Sequence, residues 1–185
     1  MPRTTSALLA APPAPPLAPA STAELALLLG VQRTFAPRAA VLGARVLGAA
    51  GEHAALWLAL GAASTALDAG RRPVWARATA AVALSHALSV GLKRVVRRTR
   101  PAHPELRVHG DGLGRFGFPS SHAASTTTAA LALRAVTGWR WPLLVPPAMG
   151  LSRMVVGAHY ASDVLAGAAL GSAVAVLSGP QGAPR

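Results

Sequence analysis

The sequence predicts an all-α fold: a polytopic membrane bundle of about five transmembrane helices, preceded by interfacial helices. Apolar residues make up 52% of the 185 residues and charged residues only 13%, which is about half the charged share usual in soluble domains. The mean hydropathy is positive, at +0.40. Five apolar stretches close to the length of a membrane crossing are separated by short polar segments.

The N-terminal region divides into two segments before the first of these stretches. Residues 1–20 are rich in proline and alanine, and we expect a disordered tail there, because the prolines interrupt any signal-peptide core. Residues 21–50 have a helical pattern, with Ser21 or Thr22 as the cap. Three arginines in this segment favour amphipathic or interfacial helices, broken near Pro37, over a membrane crossing. An ordinary solvated basic face explains the same arginines equally well.

The predicted membrane-embedded domain covers residues 51–178 and is followed by a second disordered tail at 179–185. Its five predicted spans are 51–70, 73–92, 119–137, 141–157 and 159–178. Successive spans run in opposite directions. The basic loop at 93–118, the start of the third span and the junction at 157–160 therefore fall at one membrane face. Gly167 and Gly171 have the spacing of a close helix-packing face.

Three clusters of polar residues coincide with that face. In chain order they are Lys93 with Arg100-Pro101, then Pro119-Ser120-Ser121-His122, then Ser152-Arg153 with His159 and Asp163. Lysine and arginine bind phosphate oxygens, and arginine matches their geometry. A helix that opens with a serine pair offers free N–H groups to an anion. The net charge of +12 agrees with an anionic partner. The clusters therefore predict a phosphate site.

The histidines in these clusters have separate predicted roles. His159 and Asp163 are four residues apart, which places them on one face of a helix. The carboxylate fixes the imidazole tautomer and leaves the other ring nitrogen free to attack phosphorus. His122 lies in the first turn beside the phosphate and can protonate the leaving oxygen. The result is a two-step reaction through a phosphohistidine that requires no metal and no cofactor.

The clusters resemble the three signature motifs of the type 2 phosphatidic acid phosphatase family, which shares its core with vanadium haloperoxidases. One position departs: Ser121 stands where the family usually has glycine. The family uses a backbone N–H there, so we expect activity to survive. The resemblance implies His159 as nucleophile, Asp163 as its partner and His122 as general acid. It also implies five phosphate-binding residues: Lys93, Arg100, Ser120, Ser121 and Arg153.

Within that family, the chain also resembles the decaprenylphosphoryl-5-phosphoribose phosphatases of cell-wall precursor synthesis. The resembling stretches are Gly51-Glu52-His53, Lys93 to Pro104, and the Ser/Thr-rich run 125–128. The implied reaction removes the 5-phosphate from a lipid-linked, polyprenyl-phosphoryl phosphoribose. An undecaprenyl or other polyprenyl diphosphate, or a phosphatidic acid, is the alternative substrate. Glu52, His53 and His103 are candidates for the substrate pocket.

Other interpretations of the polar residues remain. A non-catalytic basic membrane protein that binds anionic lipid is a remote alternative. A serine hydrolase triad of Ser120, His159 and Asp163 is conceivable, although the cations fit phosphate better. Nucleic acid is not expected as a partner, because aromatic residues are only 4%. Membrane lipids and the lipid-linked phosphate are the expected partners.

The remaining charged residues near the site have a simpler interpretation. Arg94, Arg97 and Arg98 are interpreted as solvated charge beside the membrane. His86 is interpreted as a buried helix histidine with satisfied hydrogen bonds. The excess of arginine in the 93–118 loop favours an active site at the cytoplasmic face of the bacterial plasma membrane.

Overall fold

The computed structural model describes residues 21–35, 37–109 and 113–179. The predicted tail at 1–20, and the tail at 179–185 apart from Gly179, lie outside the described residues. Within these ranges the chain is helical, with one isolated antiparallel bridge between Thr99 and Phe116. The α-helices are α1 Thr22–Thr34, α2 Arg38–Ala50, α3 Ala55–Leu67, α4 Arg72–Val96, α5 Ser121–Thr137, α6 Val145–Val155 and α7 Ala161–Leu177.

The N-terminal segment forms two helices that meet at an angle of 115°. Ser21 caps α1 through a reciprocal capping box with Glu24, which satisfies two backbone N–H groups at the start of the helix. Leu28 of α1 is fully buried in a cluster with Met154 and Tyr160. Helix α1 is thereby packed against the junction between α6 and α7.

Four of the five described α-helices in the predicted membrane domain are shorter than their predicted spans, whereas α4, with 25 residues, is longer than its span and includes Lys93 from the predicted loop. Helix α3 has 13 residues and α6 has 11, because a 3-10 turn precedes each of them. Among the residues that the structure describes, no single helix has both the length and the hydropathy of a membrane crossing; α1 and α2 meet that criterion only as a bent pair. The all-α fold is confirmed, and the number of membrane crossings stays a prediction.

Helix α5 lies at the centre of the bundle and packs against α4 and α7. The α5–α7 contact is close because two glycines of α7 face the α5 backbone. A Cβ on Gly167 would lie 2.3 Å from the carbonyl oxygen of Ser120, and one on Gly171 would lie 2.3 Å from that of Ala124. The Thr128 hydroxyl also donates to the Gly171 carbonyl at 3.0 Å. These contacts bring the first turns of α5 and α7 together.

The two ends of the bundle differ in character. At one end, Arg71 donates to the Val136 carbonyl at 3.2 Å and joins the start of α4 to the end of α5. The opposite end contains the end of α4, the start of α5 and the α6–α7 junction. The three polar clusters lie at this second end.

Candidate active site

A cavity of ≈ 150 Å³ opens at the polar end of the bundle. It is smaller than the ~300–1,000 Å³ of sites that enclose a drug-sized ligand, so it suits one small polar group. Its lining comprises Glu52, His53, His86, Val90, Lys93, Arg100, Ser121, His122 and His159. Each of the three motif clusters therefore contributes to one site. The apolar clefts along the helices, such as the one between α3, α4 and α5, contain no such cluster.

Lys93 connects the end of α4 to the segment that leads into α5. Its Nζ donates to the carbonyl oxygens of Gly117 and Pro119, at 3.0 and 2.6 Å. An ammonium group has three donors, so one N–H is left over for an anion in the cavity. Lys93 thus both fixes the loop and presents charge to the site.

The start of α5 is arranged as an anion-binding helix terminus. Ser120 is the N-cap, and its hydroxyl accepts from the Ala123 N–H at 3.4 Å. The Ser120 N–H donates to the Asp163 main-chain carbonyl at 2.9 Å, which ties α5 to α7. The Ser121 hydroxyl is buried and has no hydrogen-bond partner among the described residues. Because Ser121 lines the cavity, its hydroxyl and N–H are available to a bound phosphate.

His159 and Asp163 meet across the start of α7. The Nδ1 of His159 lies 3.5 Å from Oδ2 of Asp163, which is a long contact, and no described residue offers Nδ1 a closer partner. Helix α7 begins at Ala161, so His159 precedes it. The prediction that both residues lie on one helix face was wrong: Asp163 turns back at the helix start, where it accepts from the Tyr160 N–H at 2.9 Å.

The hydrogen bonds around His159 define its tautomer. Its Nε2 lies 3.1 Å from Nη1 of Arg100, and a guanidinium can only donate. Nε2 is therefore the unprotonated nitrogen, and the proton is on Nδ1, facing Asp163. Burial, with the neighbouring charges of Arg100 and Lys93, lowers the pKa of His159 to about 4, while Asp163 opposes that change. The neutral imidazole presents a lone pair at Nε2, as a nucleophile requires.

Arg100 is held beside this lone pair by the backbone. Its Nη1 also donates to the Ala158 carbonyl at 2.8 Å, and its Nε donates to the Gly114 carbonyl at 2.6 Å. Burial lowers the pKa of Arg100, but an arginine remains a cation in proteins. The site thus contains a fixed positive charge next to the candidate nucleophile.

His122 points at helix α2. Its Nε2 lies 3.1 Å from the Gly48 carbonyl oxygen, which can only accept, so Nε2 carries a proton. The same nitrogen is 3.7 Å from Oε2 of Glu52. Nε2 can give this proton to a leaving oxygen when the ring is an imidazolium.

Arg153 is buried next to the cavity and is not one of its lining residues. Its Nη2 donates to the Ala44 carbonyl at 2.9 Å, and its Nε donates to the Ser152 hydroxyl at 3.2 Å. The guanidinium lies on Gly48, where a Cβ would be only 1.7 Å from Nη2. Helix α2 therefore covers Arg153 and His122 with its main chain.

The candidate pocket residues do not all reach the cavity. Glu52 and His53 line it from the turn before α3, where His53 and Ala54 have φ of +50° and +59°, a region that is uncommon for non-glycine residues. His103 does not line it; its Nδ1 accepts from the Glu105 N–H at 3.3 Å. Across the described ranges, no group of three or more His, Asp or Glu residues is placed to hold a metal ion.

Two residues near the site differ from their interpretation in the sequence. His86 lines the cavity and its Nδ1 has no described partner, so it is not a satisfied core histidine. Arg98 is buried and bonded to Asp163 at 3.0 Å, so the interpretation as solvated charge was wrong for it, whereas Arg94 and Arg97 are exposed. One signal was available: Arg98 is two residues from Arg100 in an extended segment, and such residues share a side.

The sequence of this chain is similar to those of known proteins. The sequence profile of the PAP2 superfamily matches residues 75–181. The chain belongs to this superfamily. It is 47% identical over 145 residues to the decaprenylphosphoryl-5-phosphoribose phosphatase of Mycolicibacterium smegmatis, covering 78% of this chain and 81% of that protein. It is 41% identical over 155 residues to the Mycobacterium tuberculosis protein of the same name, covering 83% and 88%.

The fold of the PAP2 superfamily is also recognisable in solved structures. The crystal structure of Aquifex aeolicus LpxE superposes with a TM-score of 0.72 at 20% identity, covering 83% of this chain and 93% of that one. The protein is thus a phosphatase of the PAP2 superfamily, as the three polar clusters predicted.

Proposed function

We propose that this protein removes the 5-phosphate from a polyprenyl-phosphoryl phosphoribose, a lipid-linked precursor of the cell wall. The observation that carries the proposal is the 47% identity to a phosphatase named for that substrate, over 81% of its length. The geometry supports it, because cations, a helix start and two histidines surround one small cavity.

In the first step, Nε2 of His159 attacks the phosphorus atom of the monoester. The N–P bond forms as the bond between phosphorus and the ribose oxygen breaks. His122 gives its Nε2 proton to that oxygen, a step that requires the bound phosphate dianion to hold the His122 ring as an imidazolium. Asp163 stabilises the positive charge that develops on the His159 ring. Lys93 and Arg100 offset the negative charge on the phosphoryl oxygens.

In the second step, water attacks the phosphorus of the phosphohistidine. His122, now neutral, takes a proton from that water, the N–P bond breaks, and inorganic phosphate is released. His159 returns to its starting state and His122 regains its proton, so the cycle is balanced without a metal or a cofactor. Ser121 completes the lining of the proposed phosphate site. Ser120 and Arg153, which do not line the cavity, stay predicted phosphate ligands.

The pocket residues at the rim are the proposed contacts to the sugar. Glu52 and His53 line the cavity on the side of His122, where the leaving oxygen must lie. A carboxylate and an imidazole are suitable partners for ribose hydroxyls. His103, in the loop after Arg100, is the proposed contact for the part of the substrate outside the cavity.

Phosphate release by the purified protein tests the substrate. Decaprenylphosphoryl-5-phosphoribose 5-phosphate, undecaprenyl diphosphate and phosphatidic acid would be compared in detergent with EDTA present, with His159→Ala as control. We expect preference for the ribose phosphate, lost in the variant and unaffected by EDTA. Preference for the diphosphate would instead assign the protein to recycling of the lipid carrier. Equal release by His159→Ala would refute the phosphohistidine.

We also propose that α3–α7 are embedded in the bacterial plasma membrane, with α1 and α2 at its surface and the active site at the cytoplasmic face. Large apolar side chains on the outside of the bundle support this placement: Leu60 is 50%, Leu84 49% and Leu165 68% exposed, as lipid contact would require. The sequence contains no cysteine, so single cysteines report sidedness directly.

Two exposed positions at opposite ends of the bundle suit that experiment. Val108→Cys lies near the active-site end and Arg140→Cys at the other end. With a membrane-impermeant maleimide on intact cells, we expect labelling of Arg140→Cys, and labelling of Val108→Cys only after lysis. The reverse pattern would place the active site on the outer face.

A further inference from the structure

Asp163 has a second partner that the proposed mechanism does not use. Its Oδ2 faces His159 and accepts from the Tyr160 N–H, while its Oδ1 accepts from Nη1 of Arg98 at 3.0 Å. Asp163 is fully buried and the Arg98 side chain is only 9% exposed. Each carboxylate oxygen therefore has its own donor, and the plane of the carboxylate is fixed.

Arg98 is itself held from several directions. Nη1 also donates to the Ser162 hydroxyl at 2.6 Å, and Nη2 donates to Oε2 of Glu24 at 2.8 Å. The guanidinium lies 4.9 Å from the ring centroid of Tyr160. The Ser162 hydroxyl donates in turn to Oε1 of Glu24. Two carboxylates, one guanidinium and one hydroxyl thus form a closed network.

This network reaches the reaction through one residue. Arg98 does not line the cavity, so it does not contact the phosphate there. Arg98 can affect His159 through the Asp163 carboxylate, which it contacts directly. A buried carboxylate that loses its cation is left uncompensated, and one that loses the donor to Oδ1 is free to turn Oδ2 away from Nδ1 of His159. Either change removes one of the two interactions that keep the proton on Nδ1, and leaves only the donor from Arg100 to Nε2.

We propose that Arg98 is a positioning residue that fixes the Asp163 carboxylate, and that Glu24 of α1 fixes Arg98 in turn. The dyad of His159 and Asp163 is thereby extended to the N-terminal helix. The inference rests on the proposed role of His159 as nucleophile. Lysine can replace Arg98 only in part, because one ammonium point charge lacks the planar fork that reaches Asp163 and Glu24 together.

The first test compares kcat and KM of Arg98→Gln, Arg98→Lys and Glu24→Gln in phosphate release. We expect Arg98→Gln to lower kcat by about 10–100-fold and to leave KM within about threefold. Loss of a residue that orients a metal ligand has an effect of that size, and Arg98 orients the Asp163 carboxylate in the same way. Arg98→Lys and Glu24→Gln should lose less. Arg94→Gln, an exposed arginine in the same basic segment, is the matched control and should leave both constants unchanged.

A double-mutant cycle with Asp163→Asn separates positioning from a general structural role. If Arg98 acts through Asp163, adding Arg98→Gln to Asp163→Asn should lower kcat by no more than about twofold, because coupled residues are not additive. Full multiplication of the two losses, or an unchanged kcat in Arg98→Gln, would overturn the proposal.

Nitrogen NMR of the detergent-solubilised, 15N-histidine-labelled protein gives a readout that needs no substrate. The His159 signals are assigned by their loss in His159→Gln. We expect the wild-type ring to be protonated at Nδ1 and the Arg98→Gln ring to show mixed tautomers. If Arg98→Gln does not fold, Arg98→Lys and Glu24→Gln decide: His159 signals and kcat unchanged in both would refute the inference. Failure of the substrate proposal leaves this NMR test intact.

Discussion

Gly48 is a position where one added methyl group should disturb the active site although no polar residue is replaced. It is buried in α2, and its Cβ as alanine would lie 1.7 Å from Nη2, 2.3 Å from Cζ and 2.4 Å from Nη1 of Arg153. Carbon atoms and their neighbours pack at about 3.5–4.0 Å. The Arg153 guanidinium must therefore move by about 2 Å in Gly48→Ala.

The size of the effect follows from two opposing contributions. A glycine-to-alanine change inside a helix stabilises it by about 1 kcal/mol. Loss of the bond from Arg153 to the Ala44 carbonyl removes about 1.5–3 kcal/mol, the contribution of a hydrogen bond to a charged group. We expect a net loss of about 0.5–2 kcal/mol in the free energy of unfolding. Because Arg153 is a predicted phosphate ligand, its displacement should also lower kcat/KM by about tenfold or more.

Gly43 provides the matched control for this experiment. It lies in the same helix, is exposed, and a Cβ added there would have no neighbouring atom within 4 Å. Gly43→Ala should stabilise the protein by the helix contribution alone and leave kcat/KM unchanged. Thermal melting and phosphate release would be measured for both variants in the same detergent. If Gly48→Ala matched Gly43→Ala in both measurements, the close packing of Arg153 on α2 would be refuted.

Three further predictions concern other parts of the site. The pKa of His159 is lowered to about 4 from the ordinary ~6.5. Between about pH 4 and 6.5 the unfolded state therefore binds more protons than the folded state. The melting temperature should fall as the pH drops from about 6.5 to 4, and it should fall less steeply in His159→Gln. Ser121→Ala should raise KM by a few-fold with kcat unchanged, because the unpartnered hydroxyl is available only to the substrate; an unchanged KM would exclude that contact. Gly171→Ala should lower the melting temperature, because its Cβ would lie 2.3 Å from the Ala124 carbonyl; an unchanged value would contradict the close α5–α7 contact.

Much of the site could be predicted because the spacing of its residues along the chain determines at which end of the bundle they lie. Lys93, Arg100, Ser121, His122 and His159 all line one cavity, as the alternation of helices across the bundle required. The close packing at Gly167 and Gly171 is also seen, since small residues at that spacing have few other uses in an apolar helix. Helix caps could be read directly, because the Ser21 and Glu24 pair is a local signal.

Other parts depended on burial, which spacing does not encode. Three arginines in one basic segment look alike in sequence, yet Arg98 is buried and Arg94 and Arg97 are exposed. In the sequence, His86 looks like a core histidine. The packing of α4 against the 3-10 turn at Glu52–Ala54 places its side chain at the cavity wall. Helix lengths were overestimated where 3-10 turns occupy the ends of apolar stretches.

The boundary of the site does not coincide with the boundary of the recognisable family sequence. The superfamily profile begins at residue 75, but Ala44 and Gly48, upstream of it, are the partners of Arg153 and His122. Both partners are main-chain carbonyls, which every amino acid supplies. Substitutions in α2 can therefore leave these two hydrogen bonds intact, whereas Gly48 must lack a side chain for Arg153 to fit. A match to the superfamily profile alone therefore leaves part of the site outside the matched residues.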